Sequence, residues 1–136
     1  MSSRPNERVS SELSGEELRA AILALPTVLK ELVGNCILVA TYGHGSYLHP
    51  DLCYTPMKVG TSWLDRFVHD SLDQRIIVPG KSDFSFVVPE GRLEIEFCHD
   101  GHIHVSGSDT ELLGRLLAKP QFTSVNRRGS SKADDA

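Results

Sequence analysis

The sequence predicts an α+β fold, an antiparallel sheet of three to five strands with helices packed on one face. Three observations predict it. Residues 83–106 contain three short segments of alternating apolar and polar residues separated by turn residues. Apolar stripes at helical spacing lie on either side of them, over 14–33 and 108–119. A chain of 136 residues, 40% hydrophobic and 24% charged, suits a single domain with one core.

Residues 1–12 are polar and read as a flexible N-terminus, followed by a single domain over 13–122. Ser14 with Glu17 three residues later has the pattern of a capping box, and Leu13 with Leu18 that of a hydrophobic staple. Leu18, Ile22 and Leu25 continue one stripe, and Pro26 is expected to break or kink that helix. "TVLKELV" then stops at Gly34-Asn35. "CILVATY" (36–42) reads as a buried strand, because it is apolar and rich in β-branched residues. "GHGSYLHPDLCYTPMKVGT" reads as a long loop with room for a short strand. "SWLDRFVHDSL" (62–72) reads as a helix capped by Ser62, with Trp63, Leu64, Phe67, Val68 and Leu72 on its apolar face. "RIIVP" (75–79) is strand-like. The last helix starts near Ser108 with Glu111 as capping partner, carries Leu112, Leu113, Leu116 and Leu117, and stops at Pro120. Residues 123–136 read as a disordered tail.

The register of the three-stranded meander follows from its apolar residues, which must share one face. A two-residue Asp100-Gly101 loop would put Ile103 and Val105 opposite in facing to Leu93, Ile95 and Phe97. A three-residue loop, His99 to Gly101, pairs Phe97 with Ile103 and Ile95 with Val105, with Gly101 left-handed. The turn before it needs four residues, Pro89 to Arg92, to set Val88 opposite Leu93, Phe86 opposite Ile95 and Phe84 opposite Phe97. The other face then carries two cross-strand rows, Asp83–Cys98–His102 and Ser85–Glu96–His104, while His99 sits in the turn.

Composition narrows the function. From Asp83 to Glu111 seven acids face one base, Arg92, which argues against nucleic acid at this surface and favours a basic protein or a cation. No apolar run is long enough to span a membrane. The N-terminus lacks a signal-peptide pattern, and Cys36, Cys53 and Cys98 form no CxxC pair, so a cytoplasmic chain with reduced thiols is expected. "PGKS" (79–82) lacks the upstream glycine and the following helix of a phosphate-binding loop.

Catalysis is disfavoured by the order of the rows. Cys98 lies between Asp83 and His102, and Glu96 between Ser85 and His104, so neither row places a base between its nucleophile and an orienting acid. An open sheet face also offers no oxyanion hole. In the Gly-rich loop, His44, Ser46, His49, Asp51 and Cys53 match no GxSxG or HExxH pattern.

The expected function is a non-enzymatic protein-binding module without a cofactor. Asp83, Ser85, Glu94, Glu96, His102 and His104 would contact a basic partner, with Tyr47, Tyr54 and Trp63 as anchors if exposed. An inhibitor or immunity protein that neutralises a basic toxin or nuclease is one concrete form. The alternative is a zinc or other transition-metal protein, or a metal-dependent enzyme, using Cys98, His102, His104 and Glu96, joined by His44 or His49. A third possibility is a homodimer that buries the polar face in itself.

Overall fold

The computed structural model describes residues 6–47 and 50–126. Its strands are β1 (Arg8–Val9), β2 (Ile37–Tyr42), β3 (Met57–Gly60), β4 (Phe84–Val87), β5 (Glu94–Phe97) and β6 (Ile103–Ser106). Its helices are α1 (Gly15–Val33), α2 (Thr61–Asp73), α3 (Thr110–Leu117) and the single turn α4 (Thr123–Asn126). All strand pairs are antiparallel, in the order β1-β6-β5-β4-β2-β3. The architecture is therefore α+β as expected, but with six strands in place of three to five.

The meander has the register that its apolar pattern demands. Phe84 pairs with Phe97, Phe86 with Ile95, Ile95 with Val105 and Phe97 with Ile103. The β5–β6 turn is closed by the Cys98 N–H donating to the His102 carbonyl at 2.8 Å, with Gly101 at φ 92°. The β4–β5 turn is closed by Val88 N–H on the Leu93 carbonyl at 2.8 Å. Glu90, with no glycine's freedom, takes φ 67° behind Pro89.

One core joins alternate strand residues to the helices. Phe84, Phe86, Leu93, Ile95, Phe97, Ile103 and Val105 meet Leu18, Ile22, Leu25 and Leu29 of α1 and the leucines of α3, all of them buried. Burial of each such side chain contributes about 1.5–3 kcal/mol. Tyr42 stacks on both Phe67 and Phe84, and its buried hydroxyl is hydrogen-bonded to Ser71.

Several local expectations change. α1 keeps its capping box, with Glu17 N–H donating to Ser14 Oγ at 3.1 Å and Ser14 N–H donating to Glu17 Oε1 at 2.8 Å. It does not break at Pro26: the helix is continuous to Val33, because Leu25, Val28, Leu29 and Leu32 on both sides of the proline are buried in the same core. Ser62 does not cap α2, which begins one residue earlier behind Gly60 without a side-chain cap. Thr61 instead ties the α1–β2 turn down: its hydroxyl donates to the Gly34 carbonyl at 2.9 Å and accepts from Cys36 N–H at 3.2 Å. This fixes the rotation of α2 so that Leu64, Val68 and Leu72 are buried and Trp63, expected on the apolar face, is 65% exposed. α3 is capped by Asp109, whose Oδ1 accepts from Leu112 N–H at 3.0 Å, so neither Ser108 nor a Glu111 capping box starts it.

"RIIVP" is not a strand. Arg75 takes φ 59°, and Ile76 and Ile77 both donate to the Ser71 carbonyl, which turns the chain back on the end of α2 and seats Ile77 in the core. Ser82 fixes the following turn, accepting from Val78 N–H at 3.0 Å and donating to the Gly45 carbonyl at 2.8 Å. The N-terminal segment, read as flexible, contains the edge strand β1 (Arg8 opposite Val105, Val9 opposite His104). The segment read as a tail contains α4, with Val125 in the core. Residues 127–136 lie outside the described residues, as does His49. Among the described residues no helix is long and apolar enough to cross a membrane.

Candidate functional site

Strand alternation dictates a second sheet face. On β4 and β5 its positions are half-buried where those of the core face are buried. Val9, His104, Glu96, Ser85 and Thr41 form one row across five strands, and Ser106, Glu94, Val87, Val39 and Lys58 form the next. The acids Glu94 and Glu96 thus stand on β5, in the middle of the sheet. Ile37 pairs with Gly60 at one end of this face, and a β-carbon on Gly60 would lie 4.0 Å from Trp63 Cδ1. Ile37 and Trp63, 59% and 65% exposed, therefore flank one spot.

The opposite end of the face is the turn of the β5–β6 hairpin. Asp83 lies just before β4 and its Oδ1 accepts from both the His99 backbone N–H, at 2.7 Å, and the His99 ring Nδ1, at 2.8 Å. The hydrogen bond first, and the carboxylate charge second, raise the His99 pKa above the ordinary histidine value. His44 lies against His99 with ring centroids 4.5 Å apart. The turn histidine that alternation leaves off both rows is thus the one that Asp83 engages. Asp83 is 16 residues away in sequence, so no local pattern links it to His99.

The two other histidines diverge. His102 Nδ1 is 2.8 Å from the Ser10 carbonyl, which turns this ring toward the N-terminal segment. His104 Nδ1 is 3.1 Å from Glu7 Oε2, although Glu96 is its cross-strand neighbour. Ligand atoms of Cys98, Asp100 and His104 lie within 4.8 Å of one another, and so do those of Asp83, Glu96 and Cys98. Relative to the sequence-derived ligand set, Cys98, His104 and Glu96 remain, while Asp100 and Asp83 stand where His102 was expected.

The two tyrosines part company as well. Both are 65% exposed. Tyr54, at φ 65°, borders the face: its Cε1 would be 3.5 Å from a β-carbon on Gly43, next to Asp83. Tyr47 lines a hollow of about 470 Å³ with Gln74, Arg75, Val78 and Lys81, so its surroundings carry basic groups. Ser85 is half-buried in the Glu96 row.

No family model, curated protein or solved structure matches the chain.

Proposed function

We propose that the chain is a non-enzymatic protein-binding module that presents the Glu94–Glu96 face of its sheet to a basic protein. The observation that carries the proposal is the position of the two acids. Both project from β5, with strands on either side, onto the face opposite the core. A basic partner gains long-range attraction to such a centre, which acts mainly on association rate. Ile37, Trp63 and Tyr54 at the two ends supply the exposed apolar and aromatic groups that anchor protein interfaces. An inhibitor or immunity protein of the cytoplasm, neutralising a basic toxin or nuclease, is the form this activity takes.

The test has two stages. Affinity capture from the source lysate supplies a partner, and stopped-flow association is then measured with the purified pair. The double variant Glu94→Lys/Glu96→Lys should slow association at least tenfold at low salt, with the difference narrowing at high salt. An association rate unchanged in a variant with wild-type circular dichroism overturns the proposal.

A further inference from the structure

We propose that the turn end of the β5–β6 hairpin is a binding site for a divalent transition-metal ion of zinc type. Cys98, His104 and Asp100 are its primary ligands, and Asp83 and Glu96 form a second triplet with the same thiol. This inference does not depend on the protein-binding role.

Three donor types converge there. Cys98 is shared by two triplets, and within each triplet the ligand atoms lie within 4.8 Å of one another. A tetrahedral ion with bonds of about 2.0–2.3 Å holds its ligand atoms about 3.5 Å apart, a distance that small side-chain rotations reach from here. A thiolate with an imidazole and carboxylates suits zinc or cobalt(II), whereas magnesium and calcium take oxygen shells.

A second observation lies outside the triplets. Glu7, on the N-terminal side of β1, meets His104 Nδ1 at 3.1 Å, and both side chains are half-buried. A carboxylate can only accept, so Nδ1 carries the proton and donates it. The Nε2 lone pair is then the one presented to a metal. A carboxylate behind a ligating imidazole is a usual support of a zinc-bound histidine, because it fixes the tautomer and the ring orientation. His102 carries support of the same kind, with Nδ1 2.8 Å from the Ser10 carbonyl, but its ring nitrogens belong to neither triplet. Sequence alternation treats His102 and His104 as equivalent, and convergence with Cys98 and Asp100 singles out His104.

The backbone holds the set in place. Phe97 and Ile103, fully paired and buried, fix both arms of the turn beneath Cys98 and His104. On binding, Cys98 coordinates as the thiolate and its proton passes to solvent.

The test uses the full-length chain purified without a histidine tag and stripped with chelator. Cobalt(II) titration should give a thiolate-to-cobalt charge-transfer band that saturates at one ion per chain and is displaced by zinc. Cys98→Ser should abolish the band. His104→Ala should weaken cobalt binding at least tenfold, and Glu7→Gln about tenfold. His102→Ala should leave the affinity within twofold. Absence of the band in the wild-type chain overturns the site, as does a band that survives Cys98→Ser. Equal losses in His102→Ala and His104→Ala overturn the ligand assignment. Should His104→Ala fail to fold by circular dichroism, the wild-type band and its response to Cys98→Ser and Glu7→Gln decide.

Discussion

Gly107 lies so close to Arg92 that a β-carbon on it would sit 2.2 Å from the Arg92 carbonyl oxygen. The contact is backbone, so no side-chain rotation relieves it. Gly45 stands in the same relation to Lys81, with 2.1 Å to its carbonyl oxygen, and also has φ 79°. Gly107→Ala and Gly45→Ala should each destabilise the fold by about 3 kcal/mol in urea melts. Gly114, exposed inside α3 with nothing within 4 Å of its β-carbon position, is the contrast: Gly114→Ala should stabilise by about 0.5–1 kcal/mol. Equal responses at the three positions would contradict this assignment of close approach.

Ser10 replaces a missing ladder bond. Its buried hydroxyl accepts from Ile103 N–H at 2.9 Å and donates to the Ser11 carbonyl at 2.7 Å. Ser10→Ala leaves the Ile103 N–H buried without that acceptor, and should cost about 1–3 kcal/mol by chemical denaturation. A loss below 0.5 kcal/mol (roughly the size of an ordinary surface substitution) would show that the hydroxyl is dispensable.

Asp109 predicts a pH dependence. The Leu112 N–H first, and Arg92 second, hold its carboxyl below the ordinary aspartate range. A folded-state pKa below the unfolded value means stabilisation that is present above the unfolded pKa. It is lost as pH falls through the folded value. Asn caps a helix about as well as Asp but does not titrate. The melting-temperature difference between wild type and Asp109→Asn should therefore be largest near neutrality and shrink in acid. A difference constant with pH would exclude this contribution.

The meander was legible because a single physical demand, all apolar residues on one face, selects one register. That demand set aside the Asp-Gly hairpin signal in favour of the three-residue turn that the Phe97–Ile103 pair requires. "RIIVP" misled because its isoleucines and valine fit a strand, while their actual role depends on how α2 ends: the Ser71 carbonyl takes both Ile76 and Ile77. β1 was hidden by length, since two residues carry no periodicity. For the site, alternation alone put Cys98, His104 and Glu96 on one face. The partners of the two histidines, Glu7 for His104 and the Ser10 carbonyl for His102, flank a strand nearly a hundred residues earlier, and no local pattern announces them.

That distance has a kinetic consequence. β4, β5 and β6 are joined by turns of four and three residues, whereas Ser10 meets Ile103 across 93 positions of chain. Closing the long loop costs more entropy than closing either turn, and only two residues of strand pairing are gained by it. The edge strand is thus the last piece to dock and the first to leave. Ser10→Ala should accordingly act on the unfolding rate and leave the folding rate nearly unchanged.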